Sequence, residues 1–231
     1  WTSWIWNQDW YGVWNCKKAP IFTVIASGQS LTQEDARAVQ EKTQVIAVND
    51  TWELVPDAPY HYACDASWWG VHYQAVKNGF KGNSYTINDL EHPSRNPDKK
   101  YDLIRMNSKY ADGLGKRFIH YGTGGGGNSG FQAVNLAHIL GAKTILLLGF
   151  DMFGTHYFGD HPPGLANSSP YSQFIKSFER IDQTKIEIIN CTRQTALECF
   201  PRKSLDDVLG WLCLVKSAVY GSPVRRHRIS V

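Results

Sequence analysis

The chain has 231 residues, of which 42% are hydrophobic and 19% are charged, and its formal net charge is +3. This length can bury the core of one α/β domain, while the net charge is too small to indicate nucleic-acid binding by itself. The longest apolar run, from Thr144 to Phe150, is far shorter than the roughly 20 residues that a membrane-spanning helix needs, so we expect no membrane span.

The cysteines and the first residues bear on the cellular setting. Five cysteines show no C-x-x-C pair and no regular spacing, which favours neither a disulfide framework nor a zinc site. The first residues are aromatic and polar and lack the basic and aliphatic regions of a signal peptide. These features together predict a reducing, cytoplasmic setting.

Residues 1–18 form a tryptophan-rich segment, and residues 19–231 are predicted to form a single nucleotide-binding domain. Five tryptophans fall within this segment at spacings that would place several of them on one helical face: Trp1, Trp4, Trp6, Trp10 and Trp14. We expect this face to pack against the body of the protein or against a second copy of the chain, giving a homo-oligomer. A stacking platform for sugars or bases is the alternative.

From Ile21 onward, apolar strand patterns alternate with helical patterns. The strands are read in "IFTVIA", "QVIAVN", "YHYAC", "NSYTIN", "RFIHY", "KTILLLGF" and "KIEIIN". The helices are read in "LTQEDARAVQEK", with Thr32 as its N-cap, "SWWGVHYQAVKNGF", with Gly79 as its C-cap, "SGFQAVNLAHIL", "YSQFIKSFERI" and "SLDDVLGWLCLVKSA". Residues 88 to about 116 and Gly154 to Ser169 are predicted to be irregular insertions. Alternation of this kind predicts an α/β, Rossmann-like fold with a mostly parallel sheet and helices on both faces.

Small or polar residues follow five of the predicted strands. Ligands of open parallel sheets bind at the carboxyl ends of the strands, where these residues would converge. The pattern predicts a site for a nucleotide or another phosphorylated ligand, built from Gly28, Gln29, Ser30, Asn49, Asp50, Asp65, Asp151 and the stretch from Thr123 to Ser129.

A run of four glycines stands directly before one helical pattern. Gly124, Gly125, Gly126 and Gly127 are followed by Asn128 and Ser129, so free N–H groups at the start of the helix would face a ligand in this loop. Without side chains, a phosphate can approach the backbone closely. A flexible hinge or a tight connection is the alternative. The stretch also matches the dinucleotide-binding pattern G-x-G-x-x-G, but this match is weak because it comes late in the chain.

A second polar cluster follows the strand that ends before Asp151. His156, Tyr157, Asp160 and His161 lie within six residues. One histidine could act as a general base while Tyr157 binds a phosphate; a divalent metal or simple surface packing are the alternatives. Farther on, Arg193 could pair bidentately with a phosphate or a carboxylate, or its neighbourhood could cap a helix.

Two stretches resemble a known family. "FTVIASGQSL" with "VIAVND", and "NSGFQAVNLAHILGAKTILLLGFDM", are similar to the bacterial sialyltransferases that use CMP-sialic acid. They also resemble a wider group of Rossmann-like domains, which includes archaeal hydroxymethylpterin pyrophosphokinase-like proteins and uncharacterised proteins often encoded by bacteriophages. The resemblance covers residues 22–49 and 128–151, and elsewhere it extends only to the layout of elements.

The sialyltransferase resemblance implies roles for individual residues. The residues implied to hold the nucleotide are Gly28, Gln29, Ser30 and Asn49, and Ser129 with Gly130 would lie near the sugar of the donor. The family's phosphate-binding tyrosine is replaced by Phe153, so either Tyr157 takes over this role or the donor differs. His161 is the nearest candidate for the family's general base, although its spacing from the motif differs. In the first turn, Gln29 stands where the family has an asparagine.

Three functions therefore stand as hypotheses. The first is a glycosyltransferase that moves a sugar from a nucleotide donor to an acceptor hydroxyl, using His161 or His156 as base and Tyr157 with Arg193 at the leaving phosphate. The second is an Mg²⁺-dependent phosphoryl or pyrophosphoryl transferase with Asp65, Asp151 and Asp160 around the metal. The third is a nucleotide-binding module without catalytic activity. No resident cofactor is firmly implied, and the acceptor stays open.

Overall fold

The computed structural model describes residues 4–8, 14–18, 21–90, 101–120, 128–165 and 170–219. The first described element is a β-hairpin formed by β1 (Trp4–Gln8) and β2 (Trp14–Lys18), in which Trp4 lies opposite Lys18 and Gln8 opposite Trp14. The predicted tryptophan-lined helix is therefore wrong. Tryptophan and isoleucine favour extended backbone, and positions 4 and 6 fit the two-residue period of a strand as well as any helical spacing. Trp1 and Trp10 lie outside the described residues.

A parallel sheet of seven strands forms the centre of the protein. Its strands are β3 (Ile21–Ile25), β4 (Gln44–Val48), β5 (Tyr60–Tyr62), β6 (Asn83–Thr86), β7 (Ile104–Arg105), β10 (Thr144–Leu148) and β11 (Glu187–Asn190). The spatial order is β11-β10-β3-β4-β5-β6-β7, and every neighbouring pair is parallel. This arrangement confirms the predicted α/β, Rossmann-like fold.

Besides the N-terminal hairpin, two strands of the described chain lie outside this sheet. β8 (Ser108–Lys109) and β9 (Ile119–His120) pair with each other in parallel. The "RFIHY" segment was predicted as a strand like the others, but only two of its described residues are extended, and they join this small ladder. The insertion that precedes it is also more regular than predicted, because it supplies the edge strand β7.

Helices cover both faces of the large sheet. They are α1 (Gln33–Gln40), α2 (Ala66–Gly79), α3 (Ser129–Ile139), α4 (Tyr171–Glu179) and α5 (Leu205–Val219). Along β10, Ile145 and Leu147 enter a core cluster with α3 and α4, while Leu146 and Leu148 enter another with α1, α2 and α5. Because alternate side chains point to opposite faces, a strand buried on both faces reads as one apolar run.

The predicted helix ends are partly confirmed. The Thr32 side chain accepts a hydrogen bond from the Asp35 N–H group and caps α1 as predicted. Gly79 is not a C-cap, because it is the last residue of α2 and Phe80 follows it as the cap. A Cβ atom at Gly79 would lie 2.8 Å from the Trp52 ring, so close packing explains this glycine better than helix termination. None of the described helices is long and apolar enough to cross a membrane.

The chain order reverses at the centre of the sheet. From β3 the chain proceeds to β4, β5, β6 and β7 on one side, and only later returns to add β10 and β11 on the other side. The loops after β3 and β10 therefore diverge to opposite faces and leave a crevice at the carboxyl ends of these strands. Crevices of this kind are the usual ligand sites of open α/β sheets.

Candidate functional site

A cavity of about 390 Å³ lies at this crevice. It is bounded by the ends of β3, β4, β5 and β10 and by the first residues of α3. The structure brings together eight of the predicted site residues in its lining: Gly28, Asn49, Asp65, Asn128, Ser129, Asp151, His156 and His161. No lysine or arginine is found among the described residues that line it.

The ends of β3 and β10 are tied together by Asp151. The Ser30 N–H group donates to one carboxylate oxygen at 2.7 Å, and the Ser30 hydroxyl donates to the other at 2.8 Å. Asp151 is almost completely buried, and this burial raises its pKa, while the two bonds from Ser30 act in the opposite direction. Since both oxygens are engaged, Asp151 fixes the shape of the cavity wall.

Gly28 allows this contact. A Cβ atom at position 28 would lie 2.2 Å from Asp151 Oδ1 and 2.6 Å from the Gly149 carbonyl oxygen. The Gly28 N–H group donates to that same carbonyl at 2.8 Å, and Gly149 has a φ of +70°. The glycine of the first turn is thus required by the neighbouring protein backbone and carboxylate, independently of any ligand.

The loop that carries the histidines is anchored on the first turn. Gly28 forms an antiparallel bridge with His156, and the Tyr157 N–H group donates to the Ser27 carbonyl at 2.9 Å. Met152 enters this loop with a φ of +59°, an uncommon conformation for a residue with a side chain. These contacts place the histidines against the cavity, although the described residues between Asp151 and the next helix form no helix or named strand.

Asn49 begins the short 3₁₀ helix Asn49–Glu53 after β4 and adopts a φ of +50°. Its carbonyl oxygen lies 3.0 Å from Nε2 of the buried His61, whose Nδ1 is 3.3 Å from the Ser84 hydroxyl. Burial lowers the pKa of His61 to about 3, so its imidazole is neutral and Nε2 carries the hydrogen toward Asn49. The Asn49 Oδ1 atom is buried without a partner among the described residues.

The start of α3 forms the opposite wall. The Asn128 side chain accepts a hydrogen bond from the Phe131 N–H group, which fixes its orientation as the N-cap, and its buried Nδ2 atom has no partner among the described residues. The Ser129 hydroxyl contacts the thiol and accepts from the N–H group of Cys64. The N–H groups of Ser129 and Gly130 have no acceptor within the helix, so the positive helix end faces the cavity.

His156 and His161 lie side by side, with ring centroids 4.4 Å apart. His156 also stacks on Phe158 at 4.9 Å. Burial and the neighbouring His161 lower the pKa of His156, which keeps this imidazole neutral at physiological pH. On its other side, His161 Nδ1 lies 3.9 Å from the carboxylate of Asp50.

Six predicted site residues of the described chain do not line the cavity, and three of these support it from behind. The Gln29 side chain contacts Gly154, Ser30 bonds to Asp151, and the Tyr157 hydroxyl donates to the Asp50 carbonyl at 3.2 Å. Burial raises the pKa of Tyr157, so its phenol stays protonated. Asp50 lies one layer deeper, behind His161.

Arg193 is the fifth, and it faces away from the cavity. Its guanidinium forms a bidentate pair with Asp35 of α1, at 2.6 and 2.9 Å. The predicted phosphate contact is thus replaced by a structural ion pair, because the loop after β11 turns toward α1. Nearby, Thr192 and Thr195 bond to the N–H and carbonyl groups of Phe150 and brace the end of β10. Thr123 and Gly124 to Gly127 lie outside the described residues.

The described residues contain no group of three or more His, Cys, Asp or Glu side chains that could hold a metal ion. Asp65 is exposed on the cavity wall, whereas Asp160 accepts from the Thr155 hydroxyl and is absent from the described lining. Both carboxylate oxygens of Asp151 accept hydrogen bonds from Ser30. The three aspartates proposed around Mg²⁺ therefore do not converge.

Several residues of the site could not be assigned from the sequence pattern. Trp68 lines the cavity from α2, while Tyr171 and Phe174 line it from the first turn of α4. His72 is one helical turn after Trp68 and stacks on it at 4.6 Å. Trp68 and His72 are four residues apart, and Tyr171 and Phe174 are three apart, so each pair lies on one face of its helix. The same spacing is typical of ordinary core packing, so it does not by itself indicate a site.

Comparisons of this chain with protein-family models, with curated proteins and with solved structures found no match.

Proposed function

We propose that this protein is a glycosyltransferase that uses a nucleotide-linked sugar. The observation that carries the proposal is the combination, in one cavity at the reversal point of the sheet, of hydrogen-bonding groups for a ligand and a histidine pair beside a buried carboxylate. Nucleotides bind at this position in open α/β sheets. The histidines supply a base in the same space.

The donor would extend from Asn49 to the start of α3. Asn49 offers an acceptor atom and Asn128 a donor atom, each buried without a protein partner among the described residues. A ligand with both donors and acceptors would satisfy them, which offsets the cost of leaving a buried polar group unpaired. The N–H groups at the start of α3 would bind the phosphate.

The transfer itself needs a base and a stabilised leaving group. His161 would take the proton from the acceptor hydroxyl as the acceptor oxygen bonds to the anomeric carbon of the sugar. The bond from that carbon to the phosphate oxygen breaks, and its electron pair leaves with the nucleotide. The positive end of α3 would stabilise this charge, since Arg193 pairs with Asp35 instead.

The test is calorimetry with a panel of CMP-, UDP- and GDP-linked sugars, together with ATP and Mg²⁺. We expect one nucleotide sugar to bind, and Asn49→Gly to weaken it by about tenfold, the equivalent of roughly one hydrogen bond. Glycine tolerates the backbone conformation of position 49, so this variant removes the side chain without adding strain. The matched control is Arg193→Ala, which should leave the affinity unchanged.

Two results would contradict the proposal. If no nucleotide sugar releases or absorbs heat, the donor class is wrong. If only ATP with Mg²⁺ binds, a phosphoryl or pyrophosphoryl transfer, with Asp65 near the metal, replaces glycosyl transfer.

A further inference from the structure

Asp50 is a buried carboxylate with unusual surroundings. It is only 6% exposed, and among the described residues no lysine or arginine pairs with it. Three ring nitrogens surround it instead: Trp68 Nε1 donates to Oδ2 at 3.0 Å, His72 Nδ1 lies 3.6 Å from Oδ1, and His161 Nδ1 lies 3.9 Å from Oδ2. Because a buried charge is costly unless compensated, this arrangement indicates a use for the carboxylate.

Its geometry relative to His161 suggests that use. The two nitrogens of an imidazole lie on different edges of the ring, so a ring whose Nδ1 faces Asp50 directs Nε2 away from that carboxylate. His161 also lines the cavity. A carboxylate next to Nδ1 favours the hydrogen at that position, which leaves a lone pair on Nε2.

We propose that Asp50 is the positioning residue of His161, holding its imidazole in the tautomer that carries hydrogen on Nδ1. The use of this tautomer in catalysis rests on the proposed glycosyltransferase function. When Nε2 takes the proton of the acceptor hydroxyl, the resulting imidazolium faces the Asp50 carboxylate, which stabilises it.

The rest of the cluster fixes the orientation of Asp50. His72 faces its other oxygen and stacks on Trp68 with an interplanar angle of 17°, and Tyr157 donates to its backbone carbonyl. Glu53 lies on the same short helix, and burial followed by the Asp50 charge raises its pKa. The carboxylate is thus fixed by α2, by the histidine loop and by its own helix.

Two substitutions separate the acceptor oxygen of Asp50 from its charge. In Asp50→Asn, the Trp68 N–H group can bond only to the amide oxygen, so this oxygen should stay where Oδ2 lies, next to His161. The acceptor is kept and the charge is lost. Asp50→Ala removes both. Asp57→Asn is the matched control, because Asp57 is an exposed acid that pairs with Lys81 on the surface.

The first measurement is ¹⁵N NMR of the histidine side chains in the full chain without substrate, with His161 assigned through His161→Gln. We expect the neutral His161 ring to carry hydrogen on Nδ1 in the wild type, in Asp50→Asn and in Asp57→Asn. In Asp50→Ala the tautomer population of His161 should move toward the form that carries hydrogen on Nε2. A wild-type ring with hydrogen on Nε2 would overturn the proposal without any variant, as would a tautomer unchanged in a folded Asp50→Ala protein.

The second measurement is transfer kinetics with the nucleotide sugar found by calorimetry. General bases contribute about 10²- to 10⁴-fold, so losing the charge that supports one should lower kcat in Asp50→Asn by about tenfold or more, with little change in KM for the donor. Equal kcat in Asp50→Asn and Asp57→Asn would contradict the role of the charge. If no nucleotide sugar binds but the NMR result holds, the proposed function fails and the positioning role of Asp50 stands.

Discussion

Ser30 holds both carboxylate oxygens of Asp151, although the two residues are 121 positions apart in the chain. One bond comes from the backbone of the turn after β3, and the other from the serine hydroxyl. Together they join the two strand ends between which the cavity opens. The cavity wall therefore depends on a contact between the first and the last part of the domain.

Ser30→Ala removes one of these bonds and leaves a buried carboxylate oxygen without its donor. We expect a loss of about 1–3 kcal/mol in the free energy of unfolding, the range for leaving a buried acceptor without its donor. Urea denaturation measures it, with Ser172→Ala on the exposed face of α4 as control. A loss no larger than that of the control would show that the backbone bond alone holds Asp151.

Gly28→Ala should destabilise the protein, because its Cβ would lie 2.2 Å from Asp151 Oδ1 and 2.6 Å from a backbone oxygen. Overpacking at such a site costs about 1–3 kcal/mol. The matched control is Gly70→Ala in α2, where a Cβ atom would meet nothing within 4 Å and should stabilise the helix by about 0.5–1 kcal/mol. The midpoint temperature of thermal unfolding should therefore fall in Gly28→Ala and rise in Gly70→Ala. A shift of Gly28→Ala in the same direction as Gly70→Ala would contradict the packing explanation.

His61 should make the stability depend on acid. Its pKa in the folded state is about 3, whereas the unfolded value is near 6.5, so the unfolded chain binds one more proton between these pH values. The free energy of unfolding should consequently fall as pH decreases from about 6.5 toward 3, by up to about 1.4 kcal/mol per pH unit from this group. The wild type should lose this stability at acid pH.

The comparison variant for His61 is His61→Gln, whose amide can replace the Nε2 donor to the Asn49 carbonyl but does not titrate. Urea denaturation at several pH values should give a shallower slope for this variant than for the wild type. Ser84→Ala serves as a control, since it removes a neighbour of His61 and keeps the titrating group. Parallel curves for wild type and His61→Gln would assign the acid sensitivity to other groups.

Arg193→Ala breaks the bidentate pair with Asp35. The Arg193 side chain is 55% exposed, so solvent weakens the pair, and the expected cost is only about 1 kcal/mol or less. Because Arg193 faces α1, the affinity for a ligand of the main cavity should not change. Unfolding measurements test the first expectation, and calorimetry with the nucleotide sugar tests the second. A large loss of affinity would mean that Arg193 reaches the bound ligand.

The sequence by itself predicted those features that depend on local interactions. The strands β3, β4 and β10 are apolar runs, and the cap at Thr32 is formed within four residues, so these features were predicted correctly. The parallel sheet followed from the alternation of elements. The convergence of Gly28, Asn49 and Asp151 also followed, because the carboxyl ends of parallel strands share one edge.

The tertiary structure decided the contacts between residues distant in the chain. Arg193 meets Asp35 rather than the cavity, and His161 meets Asp50, although no local pattern links either pair. The N-terminal hairpin and the pairing of β8 with β9 were missed because short strands form only when a partner is available to complete their hydrogen bonds. Periodicity specifies which face of an element is buried, but which polar groups meet is determined by how the faces pack together.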